Sequence, residues 1–157
     1  MSQPLVGIVY GSPSDSAIVE AAEKVLARFD VAYESKMLSA HRMPEATAEW
    51  ARTAETRGLK VLIAMAGLAA HLGGVVAAHT TLPVLGVPVS GGVAQGLDAL
   101  LSMVQMPAGV PVGTLALDKQ GAKNSAVLAI SILALSNEDL ASSLRKLKGE
   151  MAEGIRL

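Results

Sequence analysis

Five apolar runs rich in β-branched residues recur along the chain, at residues 5–10, 31–38, 61–66, 82–87 and 110–117. Segments of helical periodicity separate them. After Asp15, the residues Ala17, Ile18, Ala21, Ala22, Val25, Leu26 and Phe29 share one face at a period near 3.6. Further helices are expected over 45–56, 70–79, 96–105 and 121–135, and a more polar one begins at a good cap, Asn137. Pro44 sits at the first turn of the second helix and Gly58 near its end. Strand and helix alternating through short connections is the pattern of a parallel sheet covered on both faces. The expectation is an α/β fold: a five-stranded, flavodoxin-like parallel sheet with an additional C-terminal helix, forming one domain over residues 1–157. There is no internal repeat, linker or low-complexity tail.

The centre of the chain is unusual in charge. Residues 61–97 contain no Asp, Glu, Lys or Arg, and only Asp98 is charged between there and Leu117. Glycines, prolines and two histidines interrupt this stretch, so no apolar run reaches membrane-spanning length. Buried parallel strands, with helices lying against other subunits, explain it better. With 51% apolar and 17% charged residues the chain is no candidate for disorder. A net charge of −1 without any basic block argues against a nucleic-acid surface. The absence of cysteine excludes disulfides, thiolate metal sites and a cysteine nucleophile. The opening "MSQPLVGIVYGS" lacks the basic start and long apolar segment of a signal peptide, and a cytoplasmic location is expected.

Ligands of such sheets bind beyond the carboxyl ends of the strands. There the chain places "GSPSD" (11–15), "SAHR" (39–42), "AGLAAHLGG" (66–74) and "PVSGG" (88–92). "GSPSD" reads either as a capped helix start or as a small hydroxyl-rich turn whose free N–H groups and helix dipole favour phosphate. Asp15 would repel phosphate, so it suits a helix cap or the hydroxyls of a ribose. In "SAHR", Arg42 can grip phosphate or carboxylate in a bidentate fork. His41 can take and return a proton near neutral pH, or it can be a structural histidine bonded to backbone. His71 reads more readily as an organiser of its loop, and His79 as a helix-end residue without a role. Gly67, Gly73 and Gly74 bring backbone close either to a ligand or to a packed neighbour.

Six blocks then occur in order: "GSPSD", "SAHRMP", "AGLAAHLGG", "LPVLGVPV", "GLDALLSMVQMPAGVPVGTLAL" and "GAKNSAVLAISIL". Together they resemble the PurE family, the N5-carboxyaminoimidazole ribonucleotide mutases of purine biosynthesis, from about Val6 to Leu135. The resemblance implies a three-layer αβα sandwich, a homo-octamer with sites shared between subunits, and a ribonucleotide substrate. The implied reaction moves a carboxylate from the exocyclic nitrogen of an aminoimidazole ribonucleotide to ring carbon C4, without metal, ATP or another cofactor. It also implies that His41 is the general acid/base and that Ser12, Asp15 and Arg42 bind substrate. Gly11 and Ser14 of the same first loop, Ser39, and the backbone of Ala69, Ala70 and His71 are the weaker candidates.

The third loop departs from the family pattern G-A-G-G-A-A-H-L-P-G at Met65, Leu68 and Gly73. Leu68 matters most: its side chain would narrow the pocket, shift a positive-φ turn, or point away. Two rivals follow. The direct carboxylase branch of the family tends to carry lysine after "SAH" and an "AGRSN"-like third loop, and Arg42 and "AAHL" argue against it here. A non-catalytic nucleotide- or flavin-binding module would explain the sheet and "GSPSD" but leave "SAHR" without purpose. An aromatic content of 3% also disfavours a stacked flavin.

Overall fold

The computed structural model describes residues 3–157; Met1 and Ser2, which belong to the opening stretch and to the expected 1–157 domain, lie outside the described residues. The elements are β1 (Val6–Tyr10), α1 (Ser16–Arg28), β2 (Tyr33–Met37), α2 (Pro44–Arg52), β3 (Val61–Gly67) and α3 (Leu72–Ala77), then β4 (Val84–Val89), α4 (Leu97–Val104), β5 (Gly113–Thr114), α5 (Asp118–Ala134) and α6 (Glu138–Ala152). The sheet order is β2-β1-β3-β4-β5, and every pairing is parallel. This is the flavodoxin-like order, as expected.

Period-two alternation in the central strands divides the core between two layers of helices. Val61, Ile63 and Met65 of β3 pack with Val6, Ile8, Leu85 and Val87 against Val25 and Leu26 of α1 and Ala126 and Ile130 of α5. Leu62, Ala64 and Ala66 face the other way, against Trp50 of α2, Val76 of α3 and Met103 of α4. Both faces are covered, so the central strands read as unbroken apolar runs. Each large aliphatic side chain fully removed from water here stabilises the fold by about 1.5–3 kcal/mol.

Several elements are shorter than their sequence signals. Residues 110–117 were expected to form a strand, yet β5 pairs only through Gly113 and Thr114, extended by the Leu115 N–H to the Gly86 carbonyl (2.8 Å). Pro111 has no N–H to give a ladder, and β5 lies at the sheet edge where short pairing is tolerated. β2, at the other edge, exposes Ser35, Lys36 and Met37. Its Glu34 accepts from Trp50 Nε1 (2.7 Å) and Arg57 Nη2 (2.9 Å), tying that edge to α2. Helix α3 is six residues long and begins after His71 rather than at Ala70. Helix α5 starts three residues ahead of the expected 121, so Gly121 falls within its first turn.

Part of the charge-free centre is accounted for by β3 and β4, which are buried almost throughout. Helix α4 differs. Leu97, Leu101 and Val104 stand exposed along one side of it, beside a fully exposed Val93. No helix among the described residues is long and apolar enough to cross a membrane.

Gly121 joins α5 to the sheet at a distance no side chain permits. A Cβ there would overlap the carbonyl oxygen of Ala116 and press on Val87. Gly149, in α6, would meet nothing within 4 Å. Gly121→Ala should therefore lose about 2–3 kcal/mol in chemical denaturation, whereas Gly149→Ala should gain about 0.5–1 kcal/mol. Equal effects at the two positions would contradict this packing.

Candidate active site

Four loops leave the carboxyl ends of β1 to β4 and line one cleft of about 660 Å³. In the first, Ser12 is extended (φ −148°) and Pro13–Asp15 form a 3-10 turn ahead of α1. Both halves of a capping box are present: Ser12 Oγ accepts from Ser14 N–H (3.4 Å), and Asp15 Oδ2 accepts from Ser12 N–H (3.1 Å). The Ser14 hydroxyl lies 2.9 Å from Ser12 Oγ and 3.3 Å from Asp15 Oδ1. Asp15 is buried at 6% exposure. Burial pushes its carboxyl above the usual range, opposed by the hydrogen bonds from Ser14 and Ser12. Asp15 stands at the N-cap of α1 but makes no side-chain bond to that helix; its carboxyl instead closes the loop onto the Ser12 N–H, so the expected helix-cap role is not realised.

The second loop is a turn closed by Met43 N–H to the Ser39 carbonyl (2.7 Å), with Arg42 N–H to Ser39 Oγ (3.4 Å). Pro44 opens α2 at its first position. Arg42 Nη2 donates to the Gly11 carbonyl (2.9 Å), which locks the second loop to the first. A guanidinium has five N–H donors, so this bond leaves most of the fork for an anion. His41 is exposed at the cleft wall, and its Nε2 lies 2.9 Å from His71 Nδ1, the two rings edge to face at 88°. One nitrogen of that contact must donate and the other accept, so it holds a single proton. His71 thereby orients His41 from the third loop.

In the third loop Gly67 allows close approach, since a Cβ there would lie 3.1 Å from the Val89 carbonyl oxygen. Leu68 holds a left-handed backbone (φ +55°), a conformation that costs a branched residue about 1–2 kcal/mol, and its side chain is 61% exposed and lines the cleft. Ala69 lines the cleft, while Ala70 is fully buried beneath it. The other two departures from the family pattern lie elsewhere. Met65 is fully buried in the α1/α5 layer, and Gly73 packs in α3 toward Val112 and Met103.

From the "PVSGG" segment, placed at the rim but given no role, Val89, Ser90 and Gly91 line the cleft. The Ser90 N–H is held by Asp118 Oδ1 (2.7 Å), and Asp118 itself has φ +55°. A second hollow of about 720 Å³ adjoins across Ser14 and Asp15 and carries Lys119 and Lys123 of α5. These are the first cations after the charge-poor centre, one helical turn apart, and that was the signal available in sequence. The first cleft is the one with the reactive groups, because it holds both the imidazole and the guanidinium.

The arrangement has known counterparts. Residues 5–154 match the family model described as AIR carboxylase. The N5-carboxyaminoimidazole ribonucleotide mutase of Pyrococcus abyssi is 51% identical over 96% of this chain and 86% of its own length. The mutase of Bacillus subtilis is 54% identical over 90% of this chain and 88% of its own. Among solved structures, Treponema denticola PurE superposes with a TM-score of 0.87 at 27% identity, covering 96% of this chain and 93% of that one. A family match running almost end to end and a shared three-dimensional frame lead to one placement: the chain belongs to the AIR carboxylase family.

Proposed function

We propose that this protein is an N5-carboxyaminoimidazole ribonucleotide mutase acting through a single catalytic domain over residues 1–157, with His41 as its general acid/base. The observation that carries the reading is the convergence of the His41 imidazole, the Arg42 fork and the Ser12–Asp15 turn on one cleft. Arg42 and the hydroxyls of Ser12 and Ser14 suit a ribonucleotide phosphate, and Asp15 the ribose hydroxyls. Ser39, Gly11, Ala69 and His71 shape the walls around them, and Ala70 lies buried beneath rather than in the wall as expected. Relatives at about half identity bear the mutase name, which favours mutase over direct carboxylase. No Phe, Tyr or Trp lines the cleft among the described residues, which argues against a stacked flavin.

The chemistry follows from these groups. His41 gives a proton to the exocyclic nitrogen as its bond to the carboxylate breaks. That step leaves a neutral aminoimidazole and one CO2. The electron-rich C4 attacks this CO2, and the same imidazole, now neutral, removes the C4 proton and restores the aromatic ring. Atoms and charge balance with one proton on loan from one side chain. Holding the two fragments together supplies much of the rate.

The uncovered apolar side of α4, at Leu97, Leu101 and Val104, supports assembly into a homo-oligomer, and we assign an octamer in the cytoplasm. Without ATP, the purified protein should convert N5-carboxyaminoimidazole ribonucleotide; preferential use of the uncarboxylated ribonucleotide with bicarbonate would favour the carboxylase. His41→Asn should keep ribonucleotide affinity within about threefold and lose at least about 100-fold in turnover. Near-normal turnover would remove His41 from its role.

Asp15 gives a pH test. Its raised folded-state pKa means that the fold prefers the protonated acid, so this stabilisation is full below the usual carboxylate pKa and disappears as pH rises through the raised value. At pH 7 the buried charge is a burden kept for the ligand. Asp15→Asn should match or exceed the parent in Tm at pH 7, and the gap should close toward about pH 4. The same variant should weaken ribonucleotide binding at least about tenfold. A Tm gap that widens on acidification would contradict the assignment.

A further inference from the structure

We propose that the groove between α5 and α6 is a second ligand site, separate from the catalytic cleft, and that it takes a nucleoside phosphate. The groove encloses about 600 Å³, within the usual range for small-molecule sites, and it shares no lining residue with the cleft. None of its groups has a part in the carboxylate transfer, so the site goes beyond the mutase reading.

Its walls follow from helix periodicity. Gln120, Asn124 and Val127 fall on one face of α5, and Leu147, Lys148 and Met151 line the groove from α6. The third wall is the chain that follows α6. There Gly154 (φ +89°) ends the helix in a Schellman turn: its N–H donates to the Met151 carbonyl (3.1 Å) and the Ile155 N–H to that of Glu150 (3.0 Å). The turn sends Ile155, Arg156 and Leu157 back along α5, where Lys123 Nζ donates to the Leu157 carbonyl oxygen (2.6 Å). The groove is thus formed and fastened by the chain itself.

Charge, apolar surface and amides together define what fits. No Asp or Glu lines the groove among the described residues. Lys123 is engaged by Leu157, but Lys148 and Arg156 are exposed and belong to no ion pair among the described residues. These two cations suit a phosphate. Beside them Met151 and Ile155 are 47% and 52% exposed, above a buried Leu147. A flat ring laid on them would take that apolar area out of water, and a thioether adapts readily to such a surface. The amides of Gln120 and Asn124, one helical turn apart, add donors and acceptors to the opposite wall. An acyl anion would press methylenes against those amides and leave them unpaired, whereas the edge of a heterocycle pairs them.

Isothermal titration of the purified protein with AMP, orthophosphate and laurate tests the site. AMP should bind the groove with one equivalent per chain. Orthophosphate has no apolar body and laurate no hydrogen-bonding edge, so each should bind at least about tenfold more weakly. Lys148→Gln combined with Arg156→Gln should weaken AMP by at least about tenfold and leave Tm unchanged, since both side chains are exposed. Arg42→Gln, which removes the anion anchor of the cleft, should leave one equivalent of AMP bound. No AMP binding overturns the proposal. So does binding that Arg42→Gln abolishes and the groove variant does not, which would place AMP in the cleft. Orthophosphate or laurate binding as tightly as AMP overturns the ligand class. A fall in particle mass by light scattering on Met151→Asp would make the groove a subunit contact and overturn the site. Turnover enters none of these readouts, so the mutase reading stands or falls separately.

Discussion

The structure depends on strands that stop at a common level. β1 lies between β2 and β3, and its last pairs carry the ladder to the rim: Leu38 N–H donates to the Tyr10 carbonyl (2.9 Å) and Gly11 N–H to that of Met65 (3.3 Å). Parallel pairing makes all the chains leave the sheet in one direction, so the loops after β1, β2 and β3 emerge side by side. The Arg42 bond to the Gly11 carbonyl then ties two of these loops together. A slip of one residue in β1 would turn Val6 and Ile8 out of one layer and carry Gly11 away from Arg42. Fold and site therefore rest on the same register.

Within the rim, polar groups are arranged by one another before any ligand arrives. Asp15 holds the Ser12 amide, His71 holds His41, and Asp118 holds the Ser90 amide. Each pairing orders a loop that would otherwise sample many conformations. The burial of Asp15 has an opposite sign: it weakens the fold when ionised, as a group retained for binding would. This combination of ordered hydrogen bonds with local strain at Leu68 suits a site that must be rigid when it is empty.

Much of this was legible in the amino-acid order. The apolar runs gave five strands in their right places, and the small and polar clusters at their ends marked the rim. Strand and helix lengths were less legible, because 110–117 is apolar enough for a full strand and only Pro111 and the edge position shorten it. A left-handed φ at Leu68 carries no mark in its residue type, since a branched apolar side chain is a poor choice for it, whereas Asp118 is of a type that tolerates it. The His41–His71 contact joins residues thirty apart and needs the β2 and β3 loops to be adjacent in space. Of three departures in the third loop, only Leu68 reaches the cleft; Met65 and Gly73 serve packing.

The central claim is that one imidazole serves both ends of a carboxylate transfer while the neighbouring arginine and the serine-rich turn anchor the nucleotide. A crystal structure with the C4-carboxylated ribonucleotide bound tests it most directly. The account requires a His41 ring nitrogen within about 3.5 Å of the C4/exocyclic-nitrogen side of the base, with Arg42 and the Ser12–Asp15 turn on the ribose phosphate. A ribonucleotide seated with its base away from His41, or lodged against Lys119 and Lys123 with the first cleft empty, would contradict it.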